Sequence, residues 1–82
     1  MSKMKCSYGG VDYNISKDLM DVWMEREGLT EGTSQFENAI ACVTGNAMGR
    51  LKLQGGEATK EAIEQVMEEI IKEEIELTGG SV

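Results

Sequence analysis

The chain has 82 residues, 40% of them hydrophobic and 28% charged, with a formal net charge of −7. That is enough for one small globular domain and not two, and its modest buried surface limits its stability. It holds no histidine and two cysteines, so the commonest general base and metal ligand is missing and there is no disulfide framework of the secreted kind.

Residues 3–16 read as a β-hairpin. Gly9-Gly10 forms a two-residue turn that accepts positive φ at both positions. With those glycines as the loop, Tyr8 faces Val11, Cys6 faces Tyr13 and Met4 faces Ile15, and all six side chains share one face. Lys3, Lys5, Ser7, Asp12, Asn14 and Ser16 take the other face. A slip by one residue would mix the two sets. A lone hairpin is unstable in water, so the apolar face must cover something, and both outer edges are expected to be unpaired.

Ser16 is placed to cap a helix over residues 17–27. Leu19, Val22 and Trp23 form its apolar stripe, widened by Met20 and Met24, and Gly28 stops it. After a short loop, Ser34 and Glu37 have the spacing of a capping box. Phe36, Ala39, Ile40, Val43, Ala47 and Leu51 then recur at helical spacing, past Gly45 and Gly49. The favoured reading is one helix over 34–53. The alternative breaks it near Gly45, since an internal glycine costs about 1 kcal/mol against alanine.

Ala41, Gly45 and Gly49 recur every four residues away from that stripe. Small side chains at this spacing let two helix backbones approach closely. Self-association is one use of such a face; a helix buried on both sides within the monomer is the other, and the preferred one.

Gly55-Gly56 precede a last helix over 57–78. Ile63, Val66, Met67, Ile70, Ile71 and Leu77 make its apolar stripe, with Glu74 intruding. Glu57, Glu61, Glu64, Glu68, Glu69, Glu73 and Glu76 are expected on a solvated face. Gly79-Gly80 should end the helix and Ser81-Val82 should fray. The fold class is therefore α+β, an N-terminal hairpin packed on three helices in the order ββααα.

Little in this pattern can do chemistry. Cys6 and Cys42 lack a base to activate either thiol and read as reduced, mostly buried core residues. Two cysteines without histidine are no zinc site, and an exposed run of glutamates offers too few ligands for a hard cation. None of the glycine groups has a phosphate-loop pattern. No cofactor, metal or catalytic residue is expected.

Charge carries the functional reading. Residues 57–77 hold eight glutamates and two lysines, while residues 1–56 hold seven acids and six bases. Such a segment repels a phosphate backbone, which disfavours direct nucleic-acid binding, and steers toward a basic protein surface. The expectation is a small non-enzymatic interaction module, an inhibitor or regulator, using Glu61, Glu64, Glu68, Glu69 and Glu73. Its sharper form is nucleic-acid mimicry, as in short acidic proteins of phages. The alternative is a homodimeric structural or assembly component that self-associates through Ala41, Gly45 and Gly49, its acidity serving solubility. The first residues lack the apolar run of a signal peptide and no stretch approaches the ~20 apolar residues of a membrane span, so a cytoplasmic location is expected.

Overall fold

In the computed structural model, which describes residues 2–79, the hairpin consists of β1 (Lys3–Tyr8) and β2 (Val11–Ser16). Its antiparallel register pairs Tyr8 with Val11, Cys6 with Tyr13 and Met4 with Ile15. Gly9 and Gly10 turn the chain at φ 59 and 80, the left-handed pair that a two-residue turn needs to match strand twist. Three helices follow: α1 (Lys17–Glu27), α2 (Ser34–Leu53) and α3 (Lys60–Gly79). The arrangement is α+β, in the order ββααα. The expected stop at Gly80 and the fraying of Ser81 and Val82 lie outside the described residues.

α1 follows β2 directly. Ser16 precedes it, but its side chain makes no capping bond; its backbone N–H is instead given to α3, as described below. The helix ends where expected. Gly28 N–H bonds to the Glu25 carbonyl and Leu29 N–H to the Met24 carbonyl, the paired closure of a Schellman turn. The buried face is rotated from the expected stripe. Met20 and Trp23 are buried, Leu19 and Met24 pack at the margin, and Val22 is 42% exposed.

α2 is continuous through Gly45 and Gly49. Its N-cap is Thr33, not Ser34: the Thr33 hydroxyl accepts from Phe36 N–H at 3.2 Å. The same hydroxyl donates to the Thr30 carbonyl at 2.7 Å, which ties the cap to the preceding loop. A second Schellman turn closes the helix, with Gly55 N–H on the Lys52 carbonyl and Gly56 N–H on the Leu51 carbonyl.

α3 begins three residues later than the sequence suggests, so Glu57 lies outside it. Gly56 is held by the end of α2, and Thr59 supplies the cap, its hydroxyl accepting from Ala62 N–H at 3.2 Å. α3 packs against α2, α1 and β2.

The core joins Cys6, Tyr13 and Ile15 of the hairpin to Trp23, to the Phe36–Leu51 stripe of α2, and to Ile63, Val66, Met67, Ile70 and Ile71 of α3. The hairpin tip overhangs it: Tyr8 and Val11 are 38% and 40% exposed. The end of α3 projects similarly, with Leu77 at 77%. Glu74, which the sequence places among apolar residues, accepts from the Trp23 indole N–H at 3.3 Å. Thr44 is fully buried, its hydroxyl satisfied by the Ile40 carbonyl at 2.7 Å, a back-bond within the same helix.

Candidate interaction surface

The five glutamates singled out by charge fall into two groups. Glu64 and Glu68 lie at the margin of α3 that meets β2. The Glu64 carboxylate accepts the Asn14 backbone N–H at 2.6 Å, and Glu68 accepts that of Ser16 at 2.9 Å. Lys3 adds an ion pair to Glu68 at 3.5 Å. On the opposite margin Glu73 takes a two-pronged bond from the Arg50 guanidinium of α2, at 2.7 and 2.9 Å. This bond holds the Glu73 carboxyl below its ordinary range and raises Arg50. Glu61 and Glu69 are exposed on the crest between the margins, with Glu76 and Lys72 beside them. The acidic face is thus bare along its middle and tied down along both sides.

The spacing of Glu64 and Glu68 matches the strand they meet. Four residues of helix rise about 6 Å, and two residues of strand advance about 6.7 Å. Two carboxylates at i,i+4 therefore meet two N–H groups at i,i+2. α3 closes the outer edge of β2 at Asn14 and Ser16, where the sequence leads one to expect it open; nearer the tip, the outward N–H of Asp12, opposite Ser7, has no partner among the described residues.

The edge of β1 differs. In an antiparallel pair, residues directly opposite either exchange both hydrogen bonds or neither. Asn14 and Ser16 send their N–H groups outward to α3, so Lys5 and Lys3, which oppose them, also point theirs outward, on the other side. Ser7, two residues on, follows the same alternation. Among the described residues no side chain or backbone group closes the outward edge at Lys5 and Ser7. A groove of about 550 Å³ runs beside this edge, between β1 and the start of α2. Phe36, Ile40 and Tyr8 supply its apolar lining, and Glu31 and Glu37 its acidic rim. Both rim glutamates are exposed and, among the described residues, neither is in an ion pair. Lys5, on the strand side, is occupied by Asp12 at 3.9 Å. Sequence reasoning missed Glu31 and Glu37 because they stand outside the charge-rich segment; only the packing of α2 beside β1 brings them to one groove.

α2 is not buried on both sides. Ala41 is partly buried, Gly45 and Gly49 are exposed, and a β-carbon at either glycine would meet no atom within 4 Å. Nearby Cys42 is exposed as well, against the expectation of a mostly buried thiol, and unbonded. Cys6 is buried, and burial, reinforced by the charge of Glu31, pushes its thiol up to about 11. Among the described residues no group of histidine, cysteine or carboxylate side chains is arranged to hold a metal ion, and no helix is long and apolar enough to cross a membrane.

No protein-family model matches the chain, and no curated protein or solved structure matches it either.

Proposed function

We propose that the protein is a small non-enzymatic interaction module, an inhibitor or regulator that binds a basic partner protein. The observation that carries this reading is the negative charge left over after internal pairing. The net charge is −7, and Glu61, Glu69 and Glu76 stand exposed along one helix crest while Glu64, Glu68 and Glu73 are engaged by Asn14, Ser16 and Arg50. Such a surface speeds and selects encounter with a basic partner. Nucleic-acid mimicry, with carboxylates in place of phosphates, is the narrower form of the same idea.

The test is salt-dependent capture of a basic protein from the source organism by immobilised protein, compared with the double variant Glu61→Lys and Glu69→Lys. Loss of capture in a folded variant supports the reading; capture equal to the parent rejects it.

A second reading rests on a separate observation. The face at Gly45 and Gly49 is open, since a β-carbon at either would meet no atom within 4 Å, and a two-fold dimer through it would make the protein an assembly component. Sedimentation over a range of concentrations distinguishes the two, since a monomer throughout leaves only the first.

A further inference from the structure

The two edges of the hairpin are treated differently by the rest of the molecule. β2's outward N–H groups at Asn14 and Ser16 are taken by Glu64 and Glu68. β1's outward groups at Lys5 and Ser7 have no partner among the described residues and border the groove of about 550 Å³. An unpaired strand edge beside a groove is the arrangement that accepts an added strand: backbone hydrogen bonds supply the affinity and alternate side chains the specificity.

From this asymmetry we infer that β1 receives an extended segment of a partner protein, added as a third strand, with alternating basic and apolar side chains. The apolar side chains face Phe36 and Ile40, and the basic ones face Glu31 and Glu37.

The charges choose this occupant over a second copy of the chain. Each copy carries −7, so two copies repel. A basic segment meets the opposite situation: Glu31 and Glu37 are exposed and outside any ion pair, whereas Lys5 is already held by Asp12. The reach of the Glu31 charge to the Cys6 thiol places that carboxylate's field over β1 itself. The inference rests on the proposed binding of a basic partner and adds its location and mode.

The probe is a short synthetic peptide of alternating lysine and valine with blocked ends. The control has the same lysines but a proline at its centre, which cannot complete the strand. Amide hydrogen exchange at Lys5 and Ser7 is the readout. With peptide at about ten times its dissociation constant, exchange there slows about tenfold, and the proline peptide gives no such protection. Ser7→Pro removes one outward donor that the hairpin does not use, and should lose the protection. Should that variant misfold, Glu31→Lys with Glu37→Lys, both at exposed positions, should lose it as well.

Protection that survives the charge reversal overturns the choice of a basic segment, and protection that appears equally with the proline peptide overturns strand addition. Peptide-induced shifts confined to Glu61, Glu69 and Glu76 overturn it too, but leave the basic-partner reading standing. Binding of neither peptide at any site rejects both. A dimer that protects Lys5 and Ser7 without peptide overturns the choice of occupant.

Discussion

The Glu68 carboxylate accepts the backbone N–H of Ser16 at 2.9 Å across 52 residues of sequence. Together with the bond from Asn14 to Glu64, it fastens the last helix to the second strand. Glutamates that look like idle surface charge are part of how the sheet is finished.

Removing both carboxylates should therefore weaken the fold. Glu64→Ala with Glu68→Ala is expected to cost about 1–2 kcal/mol in urea unfolding, because each bond is charge-assisted yet water can replace it at this edge. Reversal to lysine should cost more, since a cation then faces the two N–H donors. An unchanged unfolding midpoint for the alanine pair would show that these contacts contribute nothing.

The turn gives a second expectation. Gly10 sits at φ 80 with open space around a β-carbon, so the cost of Gly10→Val is set by backbone strain at its β-carbon. A cost of about 1–3 kcal/mol follows for a β-branched residue in that region, read as a lower melting temperature.

Gly45→Ala and Gly49→Ala should do the reverse. Both glycines are exposed within a continuous helix and a β-carbon there meets nothing within 4 Å. Each substitution should stabilise by about 0.5–1 kcal/mol, measurable by thermal melting. Destabilisation would mean that this face is covered in solution.

The two thiols should separate in reactivity. Cys42 is exposed, whereas Cys6 is buried and its thiol is pushed up to about 11. At pH 8 an alkylating reagent should modify Cys42 in the native protein and Cys6 only after denaturation, as mass spectrometry of the digested protein would report.

Arg50 and Glu73 set a pH expectation. The guanidinium holds the Glu73 carboxyl below its ordinary value. The pair's contribution is thus complete above the carboxyl's unfolded value and fades as pH falls through the lowered folded one. Arg50→Ala should move the Glu73 titration, followed by carbon NMR, up toward the ordinary carboxylate range. An unmoved titration would show that the bond is not held in solution.

How far the sequence foretold these features varies by element. The hairpin register was legible because Gly9-Gly10 and strict alternation leave one pairing that sorts every side chain. The end of α1 at Gly28 was legible for the same local reason. The span of α2 was legible, but its cap was not: Thr33 and Ser34 both offer a hydroxyl, and it is Thr33 that accepts from Phe36 N–H while bonding back to the Thr30 carbonyl. In α1, five apolar residues cover more than one face, so the exposure of Val22 depends on where α3 lies. The closing of the β2 edge and the Glu31–Glu37 rim were invisible, since both arise where segments far apart in the chain meet.

The covered edge of β2 also sets a direction for growth. A hairpin with both sides open can extend in two directions, and copies of it can join end over end into fibres. With Glu64 and Glu68 seated on Asn14 and Ser16, only the tip of that edge stays open among the described residues, and strand pairing is directed to the other side. Growth by that route meets a covered edge, so the same two carboxylates that fasten the helix also disfavour edge-to-edge polymerisation in a concentrated solution.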